Sequence, residues 1–537
     1  MIAPQTIRNI WMLTFEYDGV ASLGGLGRAV ALYVKALVKK GYNVTIFMPS
    51  HGRHLSSEHR SRLNLKNVDD FGICSYRLGM DGNRYWYCLG AEIGSIDGAK
   101  LVLFKGLDIS TGRIIDSWHI YSWAEEKASL FSRALLHWVE HYNEVPDIIH
   151  ANDWTSGIAG SLLKIFFELR GYAIPFVYSI HLLSWKSFPW HYASSEWCGI
   201  PNVLHRVWRY NRHELDYPRV VWDSVKGNID NFVSLESDVL ASNSWSYINE
   251  ILNYFGRWLE PKTFVIHNVT DWSIEEAKDI AYRYTGEYRR NIVRMKLLRE
   301  FINGLPYRKT GSMGNCRFLV TVAGRITPSK GLDIAIRILD YMSNDICIAV
   351  LGIPIGDTGY EEYLIRLANE RYGRVVLFLE PVPQELLKLF IYASNAFIVP
   401  SRYEPFGMVS IESQALGTPV IVANVGGLPE TVIDIGWDRY NGTGAIVPID
   451  DLYRYGETVE DIAILTEYID TKDGSILSRI RSSWAKELLQ INPNIDLRSN
   501  CIRWIDSKFR LNNIAELLAS CYEKSRIFAY YRALTPP

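Results

Sequence analysis

The sequence predicts an α/β fold made of two doubly wound parallel sheets. Three observations predict it. Short apolar runs alternate with helix-spaced segments from Asn9 to Ile180, and again from Arg317 to Val399. The chain has 537 residues, too many for one ordinary core. Loops carrying glycines, cations or carboxylates follow several of the apolar runs, at the strand ends beyond which such sheets bind ligands.

The first half opens with a strand over Asn9 to Phe15, the tight turn Gly24-Gly25-Leu26-Gly27, and a helix over Arg28 to Lys40. Val30, Leu32, Tyr33 and Leu37 give that helix its apolar spacing, and Gly41 suits its C-terminal end. Tyr42 to Met48 is the next strand, which makes a βαβ unit and implies parallel pairing. Strands at Leu101 to Phe104, Ile148 to His150 and Phe176 to Ile180 continue the alternation, with helices near Glu125 to Tyr142 and after Trp154. Residues 182–230 break the rhythm. Trp185, Trp190, Trp197, Trp208 and Trp222 crowd this stretch, so it reads as an ordered insertion, either an acceptor-binding face or an oligomer contact. Asp238 to Asn243 and Phe264 to His267 resume strand character.

The second half repeats the pattern. Strands are expected at Phe318 to Val322, Cys347 to Leu351, Val375 to Leu379 and Ala396 to Val399. Helices are expected at Gly331 to Tyr341, Glu361 to Arg371 and Gln384 to Ala393. The domains are therefore 1–260, including the 182–230 insertion, and 261–510, with a closing helical segment over 511–537.

Composition excludes several functions. Net charge is −2, with neither the basic excess of a nucleic-acid binder nor an acidic tail. No apolar run reaches membrane-spanning length, and the first 30 residues lack a signal peptide's basic start and cleavage site. The seven cysteines form no C-x-x-C pair, and a reduced cytoplasmic chain is the simplest reading. There is no D-x-D, no H-E-x-x-H and no clustered Cys/His set, so no metal is expected. G-x-G-x-x-G, G-x-x-x-x-G-K-[ST] and G-x-S-x-G are also absent.

The chemistry gathers at strand ends. Gly24 and Gly25 allow backbone to approach a phosphate or sugar, although a ligand-free βα turn would look similar. Asp153 ends the strand before Trp154, and can face the crevice, cap the following helix, or do both. His181 ends the neighbouring strand, as a site residue or as a packed structural histidine. Arg325 and Lys330 lie five apart on a loop leading into a helix. They suit a diphosphate leaving group, or else are solvated surface cations. Glu404 and Glu412 are eight apart across a loop and a helix start, and the amides of Gly407, Met408 and Val409 would lie at that helix N-terminus. Carboxylates for sugar hydroxyls beside amides for phosphate suggest a nucleotide-sugar site.

Taken in order, these strings resemble the glycogen and starch synthases of the retaining GT-B glycosyltransferases. Ser22 to Gly27 is similar to the family's K-x-G-G-L-G, His150 to Trp154 to H-x-x-D-W, and Ser179 to His181 to T-x-H-N. Ser237 to Ile251 is similar to the A-D-x-x-x-T-V-S segment and its helix, and His267 to Asp271 to N-G-I-D. Gly324 to Asp333 resembles G-R-L-T-x-Q-K-G-L-D, and Glu404 to Glu412 resembles E-x7-E. The resemblance spans nearly the whole chain. It implies a GT-B fold of two Rossmann-like domains facing an interdomain cleft, with the C-terminal helix crossing back to the first domain.

It also implies metal-free glucose transfer, with retention, from ADP-glucose or UDP-glucose to the 4-hydroxyl end of an α-1,4-glucan such as glycogen. Arg325 and Lys330 would hold the diphosphate, Glu404 sugar hydroxyls, Glu412 the ribose and His181 the glucose. Asp153 would serve the glucose or the acceptor side, with Trp154 and Asn268 nearby. The same fold acting on a small sugar acceptor, or an inactive glycan-binding scaffold, are the competing readings. Several positions depart from the bacterial pattern. Ser22 stands where a Lys is usual, Arg28 for Asp, Phe406 for Cys, Glu412 for Tyr, and Val269-Thr270 for Gly-Ile. Arg28 is expected to stand in part for the missing Lys, and the second sheet resembles either the broader family or the archaeal-type synthases.

Overall fold

The computed structural model describes residues 1–536. It contains two compact units, Met1–Asn268 together with the chain from Leu511 onward, and Val269–Arg510.

The first unit carries β1 (Asn9–Leu13), β2 (Asn43–Pro49), β3 (Lys66–Leu78), β4 (Arg84–Ile96), β5 (Ala99–Gly106), β6 (Ile148–Asn152) and β7 (Phe176–Ile180). A small hairpin, β8 (His205–Arg209) and β9 (Arg212–Asp216), precedes β10 (Val239–Ser242) and β11 (Thr263–Val265). The nine-stranded sheet runs β11-β10-β7-β6-β1-β2-β5-β4-β3. Every pair from β11 to β5 is parallel, whereas β4 and β3 add on antiparallel. Every residue of β6 and β7 is buried, as expected of parallel strands covered on both faces. The outer strand β3 instead alternates and meets solvent on one side.

Order reverses between β1 and β6, because the chain first winds outward through β2 and then returns to β6. That reversal is the switch point of a doubly wound sheet, where loops part and leave a crevice. The helix Leu511–Leu534 belongs to this unit and packs on the helix Gly25–Lys39 and on β7 and β10. Its buried residues Ile514, Leu518, Cys521, Tyr522, Ser525 and Ala529 recur every three or four positions, one face of a helix.

The second unit has β12 (Lys309–Met313), β13 (Phe318–Arg325), β14 (Ile346–Ile353), β15 (Arg374–Phe378), β16 (Ala396–Val399), β17 (Val420–Ala423) and β18 (Gly444–Val447). Their order is β12-β15-β14-β13-β16-β17-β18, with only β12 antiparallel. Alternate residues supply two cores: Phe318, Val320 and Val322 with Ile346, Ile348 and Val350 on one face, and Leu319 with Cys347, Ala349 and Leu351 on the other. The switch point lies between β13 and β16.

Three expectations change. Cys74 pairs with Cys88 across β3 and β4, where the two residues lie directly opposite, and Cys316 pairs with Cys347. The all-reduced reading therefore fails for four cysteines, while Cys198, Cys501 and Cys521 are buried thiols. The insertion is ordered, but Trp197, Trp208 and Trp222 are buried within it, so much of its aromatic supply is local core rather than binding face. The helix expected over Gly331 to Tyr341 is Leu332–Arg337 followed by a tighter turn, Ile338–Tyr341. The long hairpin β3–β4 has no counterpart in the sequence reading.

Candidate active site

In the first unit the candidate residues gather at the β1/β6 switch point. Gly24 is the extended N-cap of the helix Gly25–Lys39, and no side chain caps that helix end. Amides without an intrahelical partner remain there, and such an end favours an anion. A residue that the sequence reading missed arranges this turn. Glu16 is buried beyond β1 and accepts the Leu23 N–H at 2.7 Å and the Gly24 N–H at 3.2 Å. Its other oxygen accepts the Tyr121 hydroxyl at 2.5 Å. Two loop amides are thus already engaged by Glu16, and the helix start from Gly25 is what remains for a ligand. Arg28, on the first turns of the same helix, lies 3.8 Å from Asp18.

Asp153 follows β6 with φ +57° and ψ 169°, a region that side chains other than glycine rarely enter. It occupies the N-cap position of the helix Trp154–Leu169, yet its side chain does not cap that helix. Oδ1 accepts instead the His181 N–H at 2.7 Å and the Leu182 N–H at 3.2 Å. Burial pushes its carboxyl up to about 8, against those two hydrogen bonds. Asp153 and His181 are therefore one unit, tying the end of β6 to the end of β7.

His181 is neutral at ordinary pH, because burial pulls its imidazole down to about 4. Its Nε2 lies 3.1 Å from Asn152 Oδ1. Asn152 donates through Nδ2 to the Leu13 carbonyl, so Oδ1 is the acceptor for His181 and Nε2 carries the proton. Tyr33 lies against the His181 ring, centroids 6.0 Å apart, and donates to Asn268 Oδ1 at 3.1 Å. That bond brings Asn268 into the cluster. Trp154 is buried, with Lys186 over its ring. Both ring nitrogens of His150 are engaged, by Tyr522 and Ser179.

In the second unit the loops after β13 and β16 meet. Lys330 Nζ donates to Glu404 Oε2 at 2.6 Å, and Ser401 Oγ approaches the same oxygen at 3.3 Å. A cation from one strand end and a carboxylate from the next are thereby held side by side. Gly331 makes the approach possible. It sits at φ +63°, and a Cβ there would lie 1.9 Å from the Pro400 carbonyl oxygen. Arg402 fastens the same junction: its guanidinium grips Asp333 at 2.8 and 2.7 Å, and its N–H bonds the Ser329 carbonyl at 2.7 Å. Tyr360 donates to Asp333 at 2.6 Å. Burial would raise the Asp333 carboxyl, but the Arg402 and Tyr360 bonds outweigh it and hold it below the usual range.

Arg325 ends β13 with its side chain exposed. Gly407 is the N-cap of the helix Met408–Ala415 and no side chain caps it, so the Met408 and Val409 amides lie at an open helix end. Glu412 lies on that helix and is buried. Among the described residues no three His, Cys, Asp or Glu side chains cluster to hold a metal ion, and no helix is long and apolar enough to cross a membrane.

The structure joins Asp153 to His181 and Lys330 to Glu404, residues that the sequence reading places on separate strand ends, and it adds contacts from Glu16, Tyr33 and Arg402, which that reading does not single out as site residues. Glu16 carried the same signal as Asp153, an acidic residue just past a strand. Tyr33 and Arg402 carried none, since their partners are distant in sequence.

Known proteins resemble this chain over most of its length. A family profile described as "Starch synthase catalytic domain" matches residues 9–262, and one described as "Glycosyl transferases group 1" matches residues 310–463. The glycogen synthase of Thermotoga petrophila is 28% identical over 455 residues, covering 81% of this chain and 87% of its own. The catalytic domain of starch synthase IV from Arabidopsis thaliana, solved with ADP and acarbose, superposes with a TM-score of 0.69 at 20% identity, over 97% of this chain and 99% of its own. A sucrose-phosphate synthase from Thermosynechococcus elongatus shares the fold at a TM-score of 0.54 and 17% identity, over 96% and 98% of the two chains. The two matched segments each contain one switch point, and the chain belongs to the glycogen and starch synthase family of GT-B glycosyltransferases.

Proposed function

We propose that the chain is a glycogen synthase, transferring glucose with retention from ADP-glucose or UDP-glucose to the 4-hydroxyl at the non-reducing end of an α-1,4-glucan. The observation that carries this reading is the Lys330–Glu404 pair at the switch point of the second sheet. Lys330 and Arg325 would neutralise the diphosphate as its bond to glucose C1 breaks, the moment when its charge grows. Glu404, oriented by Lys330 and Ser401, would accept from glucose hydroxyls. The Met408 and Val409 amides would add to phosphate binding, and Glu412 would take the ribose.

On the first unit, neutral His181 and the Asp153 carboxyl would position glucose and the acceptor side, and Arg28 would reach toward the donor phosphates. The acceptor oxygen forms its bond to C1 on the face that the diphosphate leaves. Its proton passes to a departing phosphate oxygen, so no enzymatic nucleophile and no metal are required. A nucleotide-glucose donor and a glucan acceptor suit a cytoplasmic enzyme.

The test is glucose transfer to glycogen from ADP-glucose and UDP-glucose in parallel, in EDTA, with Glu404→Ala as control. Transfer by the wild type that is lost in the variant is the expected result. Donor turnover with free glucose or fructose but none with glycogen would replace this reading by small-acceptor transfer. Glucan binding with no turnover of either donor would replace it by a scaffold.

A further inference from the structure

With much of the insertion's tryptophan buried, a different aromatic segment stands open beside the Gly-rich turn. Residues 117–123 read Ser-Trp-His-Ile-Tyr-Ser-Trp. Trp118 is 54% exposed and Trp123 is 52% exposed. Each ring has a guanidinium over it. Arg53 lies over Trp118 at 4.3 Å, and the His59 ring meets it edge-on at 5.9 Å. Arg113 lies 5.7 Å over Trp123, whose backbone is held at φ +57°, an outlier for so bulky a residue.

The loop beneath these rings is fixed from inside. Lys127 is fully buried and donates to the carbonyls of Ser117, His119 and Ile120 at 3.3, 3.2 and 3.1 Å. Between the two tryptophans, the Tyr121 hydroxyl bonds Glu16, the same carboxylate that holds the Leu23 and Gly24 amides. The aromatic loop and the Gly-rich turn therefore share one carboxylate. Rigid exposed aromatic planes stack on the apolar faces of pyranose rings, and a ring already held in place loses little freedom on binding.

We propose that Trp118 and Trp123 bind the α-1,4-glucan acceptor, stacking on its glucose rings along the first unit next to the Gly-rich turn. This assignment rests on the glucan synthase reading and says which residues of the chain give it affinity for a polymer rather than a free sugar.

The test uses the full chain with Trp118→Ala, Trp123→Ala, the matching Phe variants, and Trp437→Ala as a control, since Trp437 is 92% exposed in the other unit. The readouts are KM for maltoheptaose, KM for the nucleotide-glucose donor, and retardation in a gel containing glycogen. We expect the maltoheptaose KM to rise about tenfold in each Ala variant, with donor KM and melting temperature unchanged. Retardation by glycogen should fall in the Ala variants, the Phe variants should recover part of the loss, and Trp437→Ala should match wild type. A wild type that elongates glucan while both Ala variants keep its maltoheptaose KM within twofold overturns this assignment alone. A donor KM that rises in step with the maltoheptaose KM overturns it as well. A wild type that neither elongates nor binds glucan overturns the synthase reading and this assignment together.

Discussion

Asp153 combines strain, burial and a shifted carboxyl in one residue. Its backbone lies in a region that costs on the order of 1–3 kcal/mol for a side chain other than glycine, and its carboxyl gives up water for two amide donors. A fold keeps such a residue where its geometry is used, and here the gain is a fixed link between the ends of β6 and β7. The linkage has a definite sign. The folded carboxyl titrates at about 8, above its ordinary 3.8, so between those values the folded state holds a proton that the unfolded chain has released. Stability from this residue is therefore full below pH 4 and is lost progressively as pH rises toward 8. Asp153→Asn keeps an oxygen to accept both amides and cannot ionise. In thermal scans at pH 5, 6, 7 and 8 the variant should gain on wild type at each step. Parallel melting curves for the two proteins would show that the carboxyl is already ionised in this fold.

At the scale of the elements, the strand–loop–helix units differ in how tightly they hold their glycines. Gly331 has a left-handed φ and the Pro400 carbonyl where a side chain would go, whereas Gly24 is extended with nothing within 4 Å of an added Cβ. Gly331→Ala should lower the second unit's stability by about 2–4 kcal/mol, from overpacking plus the left-handed backbone. It should also weaken donor binding, because the displaced turn carries Lys330. Gly24→Ala should leave melting within a degree or two, so any loss of donor affinity in that variant reports contact with ligand. Calorimetry together with nucleotide titration of both variants distinguishes the two cases. The same contrast explains what the sequence made legible. Apolar runs locate strand ends, and ligands in doubly wound sheets lie beyond those ends, so Asp153, His181, Lys330 and Glu404 could be placed without coordinates. What could not be placed depends on partners that only the fold supplies. Tyr33 reaches Asn268 from 235 positions away, and Arg402 grips Asp333 from 69 away. The pairing of Cys74 with Cys88 likewise follows from a hairpin register that no spacing rule announces.

At the scale of the whole molecule, the first unit is completed by the far end of the chain. The helix Leu511–Leu534 supplies Tyr522 to His150, Lys524 to the Thr263 carbonyl, and Arg532 to Asp238 and Ile174, which lie just before β10 and β7. Arg532 is fully buried. It bonds Asp238 at 2.9 and 3.0 Å, Glu168 at 3.2 Å and the Ile174 carbonyl at 2.7 Å. Such a cluster is weak evidence of stability in itself, since taking the charges out of water costs nearly as much as their attraction returns. Removing one partner is different, because the charges left behind stay buried and unpaired. Glu168 keeps Lys164 at 3.9 Å and Arg206 at 3.2 Å, but Asp238 would retain chiefly the Phe176 amide. Arg532→Ala should therefore destabilise the first unit by about 3–5 kcal/mol. Arg532→Lys should recover only part of that, because an ammonium cannot reproduce the paired grip of a guanidinium. If the two units melt separately, the loss should fall on the transition that limited proteolysis assigns to residues 1–268, and the transition of 269–510 should stay where it is. No shift of either transition would mean that the closing helix contributes packing alone and that its buried arginine is dispensable.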